Sequence, residues 1–427
     1  MKIISFQKLL FFLICTVLLH FESFAQKEGN NWYFGDKAGI TFNTDTASVL
    51  LNGQANGNYG NATISDKNGN LLFYFAGGFT HNLMPNRQIF DRNHQPMPNG
   101  SGLFGFDLPS YIIPWPGTQK YFLITYLPGP NRYCYSVIDM ALNNGFGDVT
   151  AAKNVPIMAL NNMAQHNSAP VVIKHRNNRD YWLILPTFTN NGTTFNAFGI
   201  TPSGLNLTPV ISATPQSNLS GGFRASPDGR TMAGNSLFGF DLFNFDPAAG
   251  LVTHRHSIGL GRTIHVYWYE FSPDGTKLYC KYAKPGQPNY MRNFISQFDL
   301  TAPNPTDIFL SATTVPYIDS TAISTTSITD MKLGPDGKIY INGPAQSDKY
   351  ISIIHRPNLP GKAAFFELEG LNLDPNNTGI HTRGKTFPTT DAGVIYRPNI
   401  SMQQGCSGDS AYFSLANSAN VDSVKWD

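Results

Sequence analysis

The tripeptide Pro-Asp-Gly occurs three times in this sequence, each time between two short runs of alternating apolar residues. The three copies read Phe-Arg-Ala-Ser-Pro-Asp-Gly from Phe223, Tyr-Glu-Phe-Ser-Pro-Asp-Gly from Tyr269 and Met-Lys-Leu-Gly-Pro-Asp-Gly from Met331. In such a segment proline presets the first φ of a turn, aspartate bonds to its own backbone and glycine accepts a positive φ. Each copy therefore predicts two antiparallel strands joined by a tight turn.

Three weaker copies precede these hairpins, at residues 62–74, 111–124 and 170–184. The first has Asn68-Gly69 as its turn, the second keeps Gly117, and the third keeps only the outline of strand, polar turn and strand. Gly229 and Gly275 are 46 residues apart, and Gly275 and Gly337 are 62 apart. These spacings leave room for the four strands of a propeller blade and argue against short solenoid repeats.

The strand pattern in residues 31–42 has no hairpin partner nearby, and residues 379–396 have none at the other end. Joining the two segments in one last blade would close the ring and leave no sheet edge bare. We therefore predict an all-β protein with a seven-bladed β-propeller over residues 26–400, with six blades as the alternative. Helical periodicity is almost absent: residues 150–165 show a trace, and Pro156 argues against a long helix there.

The N-terminus has the pattern of a secretory signal. Lys2 and Lys8 come before an apolar run over residues 9–19, and Ser23-Phe24-Ala25 supplies a small-x-small cleavage site. The run is short for a membrane span. We predict a signal peptide over residues 1–25 and an exported chain that begins at Gln26. A lipoprotein anchor at Cys15 is disfavoured because Ile14 stands where a small residue is usual.

The last residues have a different sequence pattern from the repeats. Residues 401–427 alternate like the first strands of an Ig-like sandwich. About twenty residues cannot bury a core of their own. We therefore expect this stretch to be the N-terminal fragment of a further domain, in a chain that continues past Asp427.

Three strings in the sequence resemble a known family: Asn-Asn-Trp-Tyr-Phe-Gly-Asp-Lys-Ala-Gly from Asn30, the hairpin from Ala62, and Asn-His-Gln-Pro-Met-Pro-Asn-Gly from Asn93. They resemble secreted surface proteins of Bacteroidota, in which a signal peptide and a β-propeller precede PKD or Ig-like domains and a gliding-motility-associated C-terminal domain for type IX secretion. The resemblance implies a cell-surface or extracellular address, the type IX machinery as a partner, and a PKD domain opening near Val421. It also implies that Cys406 pairs with a cysteine of that next domain.

Composition and motifs exclude several function classes. With 30 basic and 28 acidic residues the chain carries no strong field, so nucleic acid is not expected as a partner. The sequence contains no Gly-x-Ser-x-Gly elbow, His-Glu-x-x-His pair or phosphate-binding glycine loop. His254 and His256 lie two residues apart on a predicted outer strand. Exposure of both side chains to solvent explains this pattern more simply than a metal site does. We therefore predict no catalytic residue, no metal and no cofactor.

Charged residues recur at one position of the predicted inner strands, two residues before the turn opens. Aligning the hairpins places there Thr63, Ile112, Arg224, Glu270 and Lys332. Such charges either pair between adjacent blades or face the central channel, where propellers commonly bind ligands. Arg224 and Glu270 form the expected inter-blade pair because their blades are consecutive and a guanidinium can hold a carboxylate with two bonds.

The segments that lead into the inner strands carry aromatic, histidine, asparagine and arginine side chains, the types that a sugar or peptide site uses. Packing of blade against blade is the competing explanation for each aromatic residue. The candidate ligand-binding residues are Asn167, Arg224, His265, Tyr267, Trp268, Glu270, Asp330 and Arg383.

These features favour a non-enzymatic binding or scaffold module that contributes to adhesion or to a gliding-associated surface structure. Its partners would be a glycan or a surface protein and the following domains of the same chain. The alternative is a propeller-type polysaccharide hydrolase or lyase, which needs two carboxylates at glycosidase distances across the channel. Glu270 and Asp330 are the acids that the sequence places near that mouth.

Overall fold

The computed structural model is built almost entirely of antiparallel sheets. It describes residues 27–44, 46–77, 87–105, 108–127, 132–159, 169–189, 192–215, 219–236, 239–259, 267–281, 295–315, 328–343, 345, 347–389, 399–403 and 412–416. Within these residues, seven sheets of four or five strands follow one another along the chain. They are the blades of a seven-bladed β-propeller, so the seven-blade prediction is confirmed over the six-blade alternative.

The first four blades are formed as follows. The first blade contains β1 Asn31–Asp36, β2 Ala38–Thr41, β3 Ser48–Leu50 and β4 Asn56–Gly57. The second contains β5 Ala62–Ser65, β6 Leu71–Ala76, β7 Gln88–Asp91 and β8 Pro96–Ser101. The third contains β9 Tyr111–Pro114, β10 Lys120–Leu127, β11 Arg132–Asp139, β12 Asp148–Val149 and β13 Val155–Ala159. The fourth contains β14 Val171–Lys174, β15 Tyr181–Thr189, β16 Gly192–Thr201, β17 Gly204–Leu205 and β18 Val210–Thr214.

Three further blades and a hairpin follow. The fifth blade contains β19 Leu219–Ala225, β20 Thr231–Ser236, β21 Gly239–Asp246 and β22 Leu251–Gly259. The sixth contains β23 Tyr267–Phe271, β24 Lys277–Lys281, β25 Ile295–Asp299 and β26 Thr313–Thr314, with helix α1 Pro305–Leu310 before its last strand. The seventh contains β27 Asp330–Leu333, β28 Ile339–Asn342, β29 Tyr350–Ile354 and β30 Phe366–Asn372. Strands β31 Asn399–Gln403 and β32 Tyr412–Ala416 pair with each other.

The predicted hairpins form with the turn chemistry that the sequence indicates. In the fifth blade Gly229 has φ +69°, and its N–H donates to the Ser226 carbonyl oxygen at 2.8 Å. The Asp228 carboxylate accepts from the Arg230 N–H at 3.0 Å, which fixes the turn from within. The weak hairpin of the fourth blade has Asn178 in place of the glycine, and asparagine is one of the non-glycine residues that best tolerate a left-handed φ, here +59°.

The ring is closed by residues 381–389, which lie beside the first strand of the first blade. Asp36 and Thr382 exchange backbone hydrogen bonds of 2.9 and 3.0 Å, and Thr389 forms a parallel bridge with Ala62. Gly35 makes this approach possible, since its φ is +58° and a Cβ there would lie 2.1 Å from the Thr382 carbonyl oxygen. N-terminal and C-terminal segments therefore share one blade, as the sequence predicts.

Apolar side chains of neighbouring blades interlock to form the core. Phe240, Phe271 and Phe298 are fully buried in one cluster that joins the fifth and sixth blades. At the closure, the Trp32 ring packs against Phe387 with centroids 5.5 Å apart. Burial of such rings contributes on the order of 2–3 kcal/mol each, so the interfaces between blades hold the ring together.

Residues 155–159, where Pro156 argues against a long helix, form strand β13. The short helix α1 was not predicted from the sequence. Its signal is local: Asn304 accepts from the Asp307 N–H at 3.0 Å as the N-cap, and Pro305 occupies the first turn. The β31–β32 hairpin lies where the next domain is expected to begin, and its membership in an Ig-like or PKD sandwich stays a prediction.

Candidate functional site

The charged position of the inner strands faces a common space in the centre of the ring. Arg224 of β19, Glu270 of β23 and Lys332 of β27 line one small cavity of about 50 Å³ together with Tyr111 of β9. The inner strands present every second side chain to the channel, so residues at one register position meet around the axis. The alignment of the hairpins therefore identifies three members of this cluster correctly.

Arg224 bridges two carboxylates from two other blades. Its Nη2 lies 3.0 Å from Asp330 Oδ1, whereas its Nε lies 3.9 Å from Glu270 Oε2. Nη2 also donates to the Met331 carbonyl oxygen at 3.4 Å. The expected pair of Arg224 with Glu270 is thus present but long, and the closer partner is Asp330, two blades away in sequence order.

The two carboxylates are held mainly by backbone N–H groups. Glu270 accepts from the Phe271 N–H at 3.0 Å and from the Leu333 N–H at 3.3 Å. Asp330 accepts from the N–H groups of Met331 and Phe387, each at 2.9 Å. The second of these bonds joins the seventh blade to the closing segment, so the ion cluster also helps to close the ring.

Burial and neighbouring charges act on the pKa values of this cluster in opposite directions. Burial raises the pKa of Glu270 and of Asp330, and the positive charge of Arg224 offsets part of that rise. For Arg224, burial acts to lower the pKa, but the two carboxylates more than reverse this effect. The guanidinium is therefore permanently charged, and it is the cation that both carboxylates contact.

Lys332 differs from the other three charged residues because it lacks a hydrogen-bonded partner. The residue is 5% exposed and lines the cavity, yet no acceptor among the described residues lies within hydrogen-bond distance of its Nζ. Its ammonium nitrogen lies 5.6 Å from the centre of the Trp32 ring. Burial, followed by the like charge of Arg224, lowers the pKa of Lys332 to about 8.

Tyr111 forms part of the wall but is not set up for proton transfer. Its hydroxyl donates to the Pro170 carbonyl oxygen at 2.7 Å. Burial raises its pKa to about 12, against a smaller lowering by Arg224. A phenol in this state is a neutral hydrogen-bonding group at physiological pH.

The other predicted site residues fall into three groups. Asn167 and His265 lie outside the described residues, and of Tyr267 only the backbone is described. Trp268 is 37% exposed at a β-bulge in β23 and has φ +53°, a strained value for an aromatic residue. It lies two residues before Glu270 on the same inner strand.

Arg383 is 2% exposed, and two of its guanidinium nitrogens bind side chains of the seventh blade. Its Nη1 donates to Asn342 Oδ1 at 2.6 Å and its Nη2 to Asp348 Oδ1 at 2.9 Å. These contacts tie the closing segment to the seventh blade. The sequence groups Arg383 with the ligand-binding residues, whereas its contacts are those of a structural link.

His254 belongs to a separate cluster on the outermost strand of the fifth blade. Its Nε2 lies 3.1 Å from Asp241 Oδ1 and 3.1 Å from Ser257 Oγ. Both partners share one ring nitrogen, so this is not the relay of a serine hydrolase, in which the two nitrogens have different partners. Across the described ranges, no group of three or more His, Cys, Asp or Glu side chains is placed to hold a metal ion.

Within the part of the chain that the structure describes, no helix has the length and apolar composition that crossing a bilayer requires.

Comparison with known proteins supports the fold. No protein-family model and no curated protein sequence matches this chain. A solved structure named "putative 6-phosphogluconolactonase" from Bacteroides fragilis NCTC 9343 is similar with a TM-score of 0.50 at 13% identity, covering 84% of this chain and 96% of that one. A protein of the same name from Bacteroides uniformis ATCC 8492 has a TM-score of 0.49 at 14% identity, covering 80% of this chain and 97% of that one. At these identities the similarity to the first structure concerns the propeller fold alone.

Proposed function

We propose that this protein is an exported, non-enzymatic binding module, carried on the cell surface or released, whose ligand site is the central channel of its propeller. Its place in adhesion or in a gliding-associated surface structure, and its export through the type IX machinery, follow from the family resemblance. A glycan or a surface protein is the proposed partner.

The observation that carries this proposal is the state of the two channel carboxylates. A glycosidase needs one carboxyl that donates a proton and a second that attacks or activates water. Glu270 and Asp330 instead share one guanidinium, and each accepts two backbone N–H groups. Their oxygens are occupied by the protein itself, which suits a fixed binding wall better than acid–base chemistry.

Hydrolysis or lyase chemistry is the second candidate, because burial raises the pKa of both carboxyls, as enzymes do with a general acid. The name of the Bacteroides fragilis structure adds lactone hydrolysis to the reactions worth assaying.

One experiment separates the two candidates. The chain from Gln26 to Asp427 would be screened on a glycan array and incubated with polysaccharides and with 6-phosphogluconolactone, followed by analysis of the products. We expect retention of a ligand without product release. Product formation that is lost in Glu270→Gln or Asp330→Asn, with Asp299→Asn as a matched control outside the channel, would replace the binding proposal by the enzymatic one.

Export is tested separately by sequencing the N-terminus of the protein recovered from the cell surface or the medium. A mature chain beginning at Gln26 is expected. Retention of residues 1–25 on a protein that stays in the cytoplasm would contradict the proposed address.

A further inference from the structure

The cavity in the centre of the ring offers hydrogen-bond donors that the protein does not use. Lys332 Nζ has no acceptor within reach among the described residues, and Arg224 directs Nε and Nη2 to protein acceptors while its Nη1 has none in the same set. Both residues line the cavity. Lys332 is 5% exposed and Arg224 is partly exposed, so an outside group that enters the cavity can accept from both, and an ammonium that is left without an acceptor there costs free energy.

The carboxylate oxygens of Glu270 in the cavity wall and of Asp330 behind Arg224 are already occupied. All four oxygens of Glu270 and Asp330 receive a backbone N–H, and Asp330 Oδ1 also receives Arg224. Tyr111 donates its hydroxyl hydrogen to Pro170. A ligand that brings donors would find little to bind, whereas a ligand that brings acceptors would find free N–H groups.

The charges favour an acceptor that is itself negative. Glu270 and Asp330 lie 3.9 and 3.0 Å from Arg224, and each also accepts two backbone N–H groups. Lys332 lies in the field of the same two carboxylates, but its ammonium donates a hydrogen bond to neither, and the face of Trp32 at 5.6 Å is a weak partner for a full positive charge. An anionic oxygen beside Lys332 would supply the missing partner.

The size of the cavity limits what can enter. A volume of about 50 Å³ is space for roughly three or four waters, since one water needs about 10–15 Å³ on this measure. A carboxylate has three non-hydrogen atoms and fits, whereas a sugar ring does not. The remainder of a ligand must therefore stay outside the cavity.

We propose that the channel cavity is a carboxylate subsite, in which Lys332 and Arg224 bind the acidic group of a ligand such as a uronic acid residue of an acidic polysaccharide. This proposal rests on the proposed binding function and specifies its ligand class. The carboxylate accepts from Lys332 Nζ and Arg224 Nη1, and the sugar to which it belongs lies in the mouth. A free carboxylic acid and an acidic polymer share this chemistry.

Binding should be coupled to the protonation of Lys332. The titratable groups around it are Arg224, Glu270, Asp330 and Tyr111. Burial raises the pKa of both carboxyls and of Tyr111, Arg224 stays charged, and the pKa of Lys332 lies at about 8. A bound carboxylate stabilises the ammonium form, so affinity should fall as pH rises past 8, with proton uptake on binding.

The test is calorimetric titration of the 26–427 chain with trigalacturonate, with its methyl ester and with free glucuronate. We expect trigalacturonate to bind and the ester to fail. Glucuronate binding with similar affinity would point to a small acid, and its failure to a polymer; both outcomes support the carboxylate subsite. Equal binding of acid and ester would overturn it.

Two variants make the assignment specific. Lys332→Met should weaken trigalacturonate binding about 10- to 100-fold, the usual effect of losing a hydrogen bond to a charged group. Lys277→Met is the matched control. Lys277 lies on β24, does not line the cavity, and forms an ion pair with Asp299 at 3.1 Å. Unchanged affinity in Lys332→Met, or wild-type affinity that is constant from pH 6 to 9, would refute the role of Lys332. Neutral glycans binding on the array without acidic ones would refute this subsite and leave the binding function intact, whereas no binding of any kind would refute both.

Discussion

Arg224→Met is the substitution that most directly probes how the centre of the ring is held together. Methionine keeps much of the aliphatic volume and removes the guanidinium. The variant loses the 3.0 Å contact with Asp330, the 3.9 Å contact with Glu270 and the bond to the Met331 carbonyl. It leaves two carboxylates, 3% and 7% exposed, without their shared cation.

The size of the effect follows from that geometry. Removing one partner of a buried ion pair costs about 3–5 kcal/mol, because the remaining charge stays buried. The Arg224 side chain is 25% exposed and the carboxylates keep their four backbone bonds, so we expect the lower end, about 3 kcal/mol. In a chain of this length each kcal/mol shifts Tm by about 2 °C or less, so Tm should fall by about 3–6 °C.

The loss of stability in Arg224→Met should depend on pH, and its direction can be worked out from the pKa shifts. Burial already raises the pKa of Asp330 and Glu270, and without Arg224 both values rise further. A carboxyl whose pKa is higher in the folded than in the unfolded state destabilises the fold as pH rises through that interval. The Tm difference between wild type and Arg224→Met should therefore be small near pH 5 and full at pH 8.

Thermal unfolding at several pH values measures this effect, with Arg179→Met as the control. Arg179 also pairs with an aspartate, Asp180 at 2.8 Å, but its side chain is 62% exposed and the pair should contribute little. If both variants shift Tm equally at pH 8, or if the Arg224→Met difference is the same at pH 5 and pH 8, the inter-blade ion cluster does not stabilise the ring.

Three further predictions test other parts of the structure. Lys332→Met should raise the free energy of unfolding at pH 7 by up to about 3 kcal/mol, since burial lowers the pKa of Lys332 from 10.5 to about 8, and the gain should fall below about 1 kcal/mol at about pH 10 and vanish above about pH 11, as measured by denaturant titration. Gly35→Ala should lower Tm far more than Gly117→Ala, because both glycines have positive φ but only the first would clash with the closing segment, whereas nothing lies within 4 Å of the second. Cys134 and Cys280 are buried with raised thiol pKa values, so iodoacetamide should label both after unfolding and neither in the native protein, as read by peptide mass spectrometry.

The blades were predictable because their turns are local. Pro-Asp-Gly and Asn-Gly fix φ over two or three residues. The alternating apolar residues beside them indicate a strand without information from distant parts of the chain. The same alignment put Arg224, Glu270 and Lys332 at one register position, and they do line one cavity. Closure by the two terminal segments followed from the need to leave no open sheet edge.

The pairing within the channel was less accessible to sequence reasoning. Consecutive blades made Glu270 the natural partner of Arg224, but a long arginine side chain can cross a narrow channel, and Asp330 two blades on lies closer. Which of the two acids is reached depends on the curvature of the ring, a property of the whole chain. The bulge in β23 at which Trp268 has a positive φ was also not predicted from the sequence.

Lys332 illustrates why an unfavourable feature can be informative about function. A propeller core has no structural need for a lysine at this position, since Ile173 occupies the corresponding place on β14, two residues before the turn, with an apolar side chain. The buried ammonium lowers stability at neutral pH, and the described residues offer it no hydrogen-bond acceptor. Sites where a chain departs from the rules of a stable core are where binding groups are expected, because a group already satisfied within the protein has little affinity left for a ligand. If Lys332→Met is both more stable and unable to bind acidic saccharides, the two results together identify the lysine as a binding residue, which neither result alone would do.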